Sequence, residues 1–520
     1  MKLIKNIFAA ALFALVLTGC EDFLEPNSKS EFVPKDATSL NELLLGVAYQ
    51  RNDSKGYSAF LALLDDDIEA MPYQKPNSGF DANKYLASFT WQPDMFNMME
   101  KAYASSFNLY ESYYKVLLGV NAVIDYLPTV TDSEDMINNV KAQAHALRGF
   151  YYFNLVNIFG QPYNYNPEAL GVPLKLSSGI EASEDALKRK TVAEVYEQIL
   201  SDLHIAEESY KNLPEAERWK PRYRTSLPMV QLMLSRTYLY MENWEKAAEY
   251  ALEVMNNKTF KLLDLNNIDP STEEFMYYPT YDSPETIWAY GSPTDMFVWT
   301  CNELGTQNVN NNNKKMHPYF KASEDLMNTF DDVDLRRDRY IIKIAFDTIK
   351  QNKEIIPVYS NMAYGKIFVK STKKPSDSPG IFGRSLRLSE AYLNYAEAQA
   401  NIGGEGIEKA TEALTTLREK RYNPQEDFEV YITDQEELIE FVKQERRREL
   451  CFEGHRWFDL RRWGMPEIKH IWHDDENTSF EYTLKEKDLM YTVPIPEEAL
   501  QENNKLLQNE LPGKRSGVQI

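Results

Sequence analysis

Apolar side chains recur every three to four residues through several long stretches of this chain, the spacing that gathers them on one face of an α-helix. Leu109, Tyr113, Val116, Val120, Val123 and Leu127 mark one such stripe. Residues 142–159 carry a second, with Leu147, Phe150, Tyr151, Asn154, Leu155 and Ile158 along its faces. A third opens at Thr191, with Glu194 three residues on. That pair is a capping box, in which each side chain satisfies the other residue's free backbone N–H. Its stripe runs through Val192, Val195, Ile199, Leu203, Ala206 and Tyr210, and Pro214 follows its end. Further helices are predicted over 227–241, 244–255, 388–401, 407–421 and 435–448. Glu242 and Asn243 make a very short turn between two of them, and Tyr238 and Ala247 have the nine-residue spacing of tetratricopeptide-like hairpins. Ala247 and Ala251 are small enough to let two helices approach closely. Residues 401–406 join another pair in the same way. Helix pairs of this kind stack into a superhelix, each burying its apolar face on the next.

Two regions break the helical period. Residues 257–379 are rich in Asn, Pro, Asp and aromatics, with five Asn in the six residues 308–313. Residues 285–290 alternate and read as a short strand; 341–345 and 367–369 are two more candidates. Residues 52–108 are similar, with Asp65, Asp66 and Asp67, then Tyr73, Pro76, Gly79, Trp91, Pro93 and Phe96. The expected fold is therefore predominantly all-α, a superhelical scaffold of helix pairs with long irregular loops and a few short strands. Binding residues usually sit on such loops.

The N-terminus follows a different pattern. Lys2 and Lys5 precede eleven unbroken apolar residues, 7–17. A spanning helix needs ~20, so this run has the length of a signal-peptide core. It ends in Leu17-Thr18-Gly19-Cys20, which resembles the bacterial lipobox. The resemblance implies removal of residues 1–19 and acylation of Cys20. Residues 20–34 are polar and acidic with two prolines, as a solvated tether would be. Glu21-Asp22 resembles the acidic surface-export signal of some Gram-negative lipoproteins. No later segment is long and apolar enough to span a membrane, which leaves the lipid as the anchor. Residues 35–520 are then expected to form one domain with insertions at about 52–108 and 257–379.

Composition narrows the function. A formal charge of −22 repels phosphate backbones and excludes nucleic acid as a natural partner. Aromatics reach 13%, with 33 Tyr and 8 Trp, which suits either a large helical core or platforms for sugar rings. Of three Cys, Cys20 carries the lipid, Cys451 sits between Leu450 and Phe452 as a buried thiol, and Cys301 lies in a loop. Nothing in the sequence supports a Cys301–Cys451 disulfide. No nucleophile elbow, zinc helix or P-loop is present. His470 and His473, followed by Asp474 and Asp475, read as surface histidines with acidic neighbours rather than metal ligands. Asp65, Asp66 and Asp67 are adjacent and cannot all face one ion in a regular element. Asp331, Asp332 and Asp334 are followed by Arg336 and Arg337, a pattern of local ion pairs. Among 79 acidic residues nothing selects a glycosidase pair. No catalytic residue, metal or cofactor is expected.

The run from Glu445 to Gly464 is the most distinctive. Arg446, Arg447, Arg448, Arg456, Arg461 and Arg462 alternate with Phe452, Trp457, Phe458 and Trp463. Arginine among aromatics can bind single-stranded nucleic acid. Here Glu445, Glu449 and Glu453 recur every four residues, and guanidinium forks pair with carboxylates. A self-neutralised structural helix is the better reading.

That cluster resembles the C-terminal signature of the SusD/RagB family of outer-membrane nutrient-binding lipoproteins. Other segments match in order: Leu147-Arg148-Gly149-Phe150-Tyr151-Tyr152-Phe153-Asn154-Leu155-Val156 with Phe159-Gly160; Gly171-Val172-Pro173-Leu174; Thr191 through Tyr196, ending at Asp202-Leu203; Phe330-Asp331 through Arg337; Ser389 through Leu393 with Ala396-Glu397-Ala398; and Val493-Pro494-Ile495-Pro496 with Asn504 and Leu507-Gln508-Asn509. The ending departs from the family's Pro-Gly-aromatic close, reading Glu510-Leu511-Pro512-Gly513-Lys514. The resemblance spans nearly the whole mature chain. It implies a lipoprotein on the outer face of the outer membrane, seated as a lid on a SusC-like TonB-dependent β-barrel transporter. It would capture a glycan and deliver it without catalysis. Capture of a peptide or another oligomer is the alternative, and a surface glycoside hydrolase a more distant one. In the family the signature helices are scaffold, and ligands contact variable loops, here 52–108 and 257–320. Within them Trp91, Tyr278, Tyr281 and Trp299 are candidates for stacking on sugar rings, and Asp67, Asn97 and Asn302 for hydrogen bonds. Trp288 has a strand-like setting and is expected in the core.

Overall fold

The computed structural model describes residues 34–49, 59–70, 83–103, 108–179, 183–218, 222–268, 283–291, 320–339, 342–351, 354–362, 382, 384–475 and 477–520. Its helices are α1 (Ala37–Val47), α2 (Asn83–Phe89), α3 (Met95–Tyr103), α4 (Leu109–Tyr126), α5 (Glu134–Phe159), α6 (Val192–Lys211), α7 (Leu227–Tyr240), α8 (Trp244–Met255), α9 (Glu324–Met327), α10 (Arg336–Arg339), α11 (Leu388–Ile402), α12 (Glu405–Glu419), α13 (Gln435–Leu450), α14 (Arg456–Arg462) and α15 (Glu497–Glu502). The fold is predominantly helical, as its periodicity predicts. Helix α5 starts eight residues before its stripe. Ser133 caps it and Glu134 and Asp135 complement the helix dipole, while residues 134–139 face water or lie half-buried and so carry no apolar stripe. The capping box of α6 is present in both directions, Glu194 N to Thr191 Oγ1 and Thr191 N to Glu194 Oε2.

The helices pack as neighbouring pairs. α5 lies against α4 and α6, α7 against α8, and α11 against α8, α12 and α13. Asn243 caps α8 and Glu242 turns the chain with φ 59°. Ser235 Oγ donates to the carbonyl of Ala247 at 2.9 Å, an approach that the small side chain of Ala247 permits. Between α11 and α12 the chain reverses through Gly403 (φ 72°) and Gly404 (φ 57°), a backbone region that side chains strongly disfavour. The main core draws on residues from Ala37 to Leu506, including Trp91, Trp288 and Trp457. Burial of Trp288 at 1% exposure agrees with its strand-like setting. Two smaller clusters sit beside it, one around Phe89, Phe320 and Trp472 and one within α11, α12 and α13.

Among the described residues the strands form small antiparallel sheets. β1 (Ile68–Ala70) pairs with β5 (Phe320–Ala322), β2 (Leu170–Pro173) with β3 (Arg189–Thr191), and β4 (Thr286–Tyr290) with β8 (Arg384–Arg387). β6 (Ile342–Gln351) pairs with β7 (Glu354–Met362), a longer hairpin than residues 341–345 suggest. The strand expected over 367–369 lies outside the described residues. β9 (Ile468–Asp475) and β10 (Thr478–Leu484) form a hairpin that β11 (Val518–Gln519) extends. Sequence missed β9 because its inward face holds Ile468, His470 and Trp472 while Ile471 points outward, 39% exposed. His470 is thus buried rather than a surface residue. Among the described residues no helix is long and apolar enough to cross a membrane.

The charged interior corrects one expectation. Glu445 and Glu449 of α13 are wholly buried, yet most of their partners come from elsewhere in the chain. Glu449 accepts from Arg336 (3.0 Å), Arg387 (2.6 Å) and Arg421 (2.9 Å). Glu445 pairs with Arg336 (2.7 Å), Arg418 (3.2 Å) and, within the helix, Arg448 (2.7 Å). Glu285 joins through Arg387 and Arg421. Burial opposes the Glu449 carboxylate, but Arg421, Arg387 and Arg336 outweigh it and hold it well below the usual carboxylate range. The cluster is therefore a cross-link between distant segments and not a self-neutralised helix. Arg148 of the Arg-aromatic motif does the same for α5 and α6, gripping Asp202 through Nε (2.9 Å) and NH2 (2.7 Å). Asp334 pairs with Arg336, and Asp332 with Arg337, as their spacing predicts.

Candidate ligand-binding groove

Strand β1 ends at Ala70, where residues 71–82 leave the described chain, and β5 begins at Phe320, where residues 292–319 return to it. Pairing Ile68 with Ala322 and Ala70 with Phe320 therefore joins a strand inside the first predicted insertion to one inside the second. β9 packs on β1, and with Phe89 the three strands line a groove of about 610 Å³.

Scaffold arginines fix this corner. Arg447, on α13, donates from Nε to Asp67 Oδ1 (2.8 Å), from NH1 to Asp325 Oδ2 (2.6 Å) and from NH2 to the Asp66 carbonyl (3.0 Å). One side chain thus ties the turn before β1 to the helix after β5. Arg456 forks onto Asp66 at 2.6 and 2.7 Å. Burial works against the Asp66 carboxylate, but Arg447 and Arg456 overcome it and hold its pKa at about 2. Burial and its two acidic neighbours push Asp65 well above the carboxylate range. Across the sheet, Ser323 Oγ donates to the Asp66 carbonyl (2.7 Å), Glu324 N donates to Glu69 Oε2 (3.0 Å), and Lys321 pairs with Glu69 (2.6 Å).

His470 forms part of the groove floor. Its ring lies between Phe89 (4.1 Å between ring centres) and Trp91 (4.2 Å). Nδ1 faces the carbonyl of Phe89 at 2.7 Å and Nε2 that of Asp65 at 3.0 Å. A neutral ring has one N–H for these two acceptors. Burial outweighs both carbonyl contacts and the Asp66 charge and lowers the imidazole pKa to about 4.

The structure divides the residues that sequence selects. Trp91 is wholly buried with φ 50°, donates from Nε1 to the Leu64 carbonyl (2.9 Å) and gives its face to His470. It packs in the core behind His470 and presents no face to solvent for a sugar. Asp67 is 1% exposed and engaged by Arg447, so it anchors β1 to the scaffold instead of meeting a ligand. Asn97 donates to Glu497 Oε2 of α15 at 2.6 Å and is not among the groove residues. Tyr278, Tyr281, Trp299 and Asn302 lie outside the described residues, as do Cys20 and Cys301. Cys451 is buried, its Sγ 3.5 Å from the Arg448 carbonyl. Sequence reasoning missed Glu69, Lys321, Glu324, Asp325, Glu467 and Lys469. Single charges on short elements carry no spacing signal; only the pairing of β1 with β5 and the packing of β9 on β1 bring them together.

Known proteins share this architecture. Residues 361–513 match the family model described as SusD family, and residues 22–239 match one described as starch-binding associating with outer membrane. The chain is similar along its length to SusD-like protein P2 of Formosa agariphila, at 25% identity over 99% of this chain and 100% of the relative. SusD-like protein P38 of the same organism is also 25% identical, over 88% of this chain and 92% of the relative. Among solved structures, a SusD superfamily protein from Bacteroides thetaiotaomicron VPI-5482 superposes with a TM-score of 0.66 at 21% identity, covering 91% of this chain and 100% of that one. A SusD-like carbohydrate binding protein from Bacteroides vulgatus ATCC 8482 gives a TM-score of 0.65 at 19% identity, covering 91% and 98%. With its signature motifs, its helix pairs and these matches at both ends of the sequence, the chain belongs to the SusD/RagB family.

Proposed function

We propose that this protein captures a glycan and hands it, chemically unchanged, to a TonB-dependent β-barrel transporter in the outer membrane. The observation that carries this reading is the pairing of β1 with β5, which brings strands of both predicted insertions together at one groove. Family membership supports the ligand class, since one matched model is described as starch-binding and associating with the outer membrane. Trp299 and Asn302, in the insertion that returns to β5, remain our candidates for stacking and hydrogen bonding, and Tyr278 and Tyr281 for further stacking. An acyl chain on Cys20 and the tether up to residue 34 hold residues 35–520, one domain in this reading, at the membrane surface.

The test uses the full chain in neutral detergent, with calorimetry against a panel of glycans and chromatography of each glycan after incubation. Binding with intact product is expected, and Trp299→Ala should weaken it at least tenfold. Shortened products that vanish on replacing one carboxylate would mean a hydrolase. Binding of peptides alone would redirect the capture role to another polymer.

A further inference from the structure

The groove has a charge of its own. Asp66, Glu69, Glu324, Asp325 and Glu467 line it against Lys321 and Lys469, so five carboxylates meet two ammonium groups and leave a surplus of three negative charges. The side chains of Glu324 and Asp325 are 81% and 74% exposed, placing their charge where a ligand would arrive. The wall behind does not reverse the sign. Arg447 and Arg456 face Asp66, Asp67 and Asp325, and Lys469 is bonded to Glu481 at 3.0 Å. His470 and His473 are both kept toward the neutral form by burial. The adjoining segments are balanced in sequence: Lys75 against Asp81 in 71–82, and Lys314 and Lys315 against Asp295 and Glu303 in 292–319. Concave surfaces of one sign focus their field on what enters them, and the chain as a whole adds to it with a net charge of −22.

We infer that this groove selects its saccharide by charge, admitting neutral or amine-bearing chains and turning away those that carry uronate or sulfate. The inference rests on the capture reading above and sharpens it. Among the described residues no three His, Cys, Asp or Glu side chains are arranged to hold a metal.

Full chain in neutral detergent is titrated at low salt with neutral, amine-bearing, uronate-bearing and sulfated polysaccharides, then again at about 0.5 M salt, where charges more than a few Å apart are screened. We expect the tightest ligand to be neutral or amine-bearing, and uronate or sulfated chains to bind at least tenfold more weakly, with the gap narrowing in salt. The double variant Glu324→Gln with Glu467→Gln, both exposed positions, should raise anionic binding relative to neutral binding severalfold. A uronate or sulfated chain bound as tightly as the best neutral one, with no gain in the double variant, overturns the filter and leaves capture standing. Failure to bind any glycan overturns capture, and the filter with it.

Discussion

Glu449 and Glu69 are both glutamates held by cations, 3.0 Å or less from their partners, yet they stand in opposite surroundings. Glu449 is 0% exposed and shared by three arginines from three separate segments. Glu69 lies at the groove with its side chain 35% exposed and one lysine beside it. In the first, water is gone and every partner is obligatory, because a charge left alone in the interior has nothing to replace the missing one. In the second, water replaces whatever departs, so the pair is weak and its charge is free to act on a ligand. Arg447 joins the two settings. Its helix carries Glu445 and Glu449, while its guanidinium reaches out to Asp67 and Asp325. Burial, not residue type, separates scaffold from site here.

The largest effect should follow from Glu449→Ala. It strands Arg336, Arg387 and Arg421 around an empty position and should cost about 3–5 kcal/mol in urea unfolding. A loss below about 1 kcal/mol would mean that water already reaches the cluster, and the contrast with Glu69 would dissolve. Trp91→Ala tests where the boundary runs. Its indole is wholly buried, so the cavity should cost about 3 kcal/mol, visible as a lower unfolding midpoint before any ligand is added. A variant of normal stability that binds glycan poorly would move Trp91 back to the ligand side. Lys321→Ala should be the mildest, below about 1 kcal/mol. Larger destabilisation would show that the pair at the groove rim is structural after all.

The helices could be read from sequence because each buries one stripe against a neighbour, as Val192 through Tyr210 do in α6. Starts without a stripe, such as residues 134–139, could not. β9 was illegible because a histidine occupies its inward face and an isoleucine its outward one. Trp91 and Asp67 looked exposed because Pro93, Gly79 and three adjacent aspartates read as loop. The structure instead places α2 and α3 on either side of Trp91, with His470 against its face, nearly four hundred residues away in the chain. The positions of the groove charges depend on pairing across 255 residues, which local pattern does not encode.

That same β1–β5 pairing has a consequence for the order in which the molecule can assemble. Helix pairs such as α7 with α8 and α11 with α12 close on near neighbours in the chain. β1 must wait for residues about 255 positions later, and Asp67 for an arginine 380 positions later. At roughly 5–20 residues per second of synthesis, Asp67 stays without its guanidinium for roughly 20–80 s. Until then the Arg447 clamp cannot form, whereas contacts between helices close in sequence can. A chain that stops short of α13 would therefore lack the arginine that ties Asp67 to Asp325, and with it the clamp on the groove.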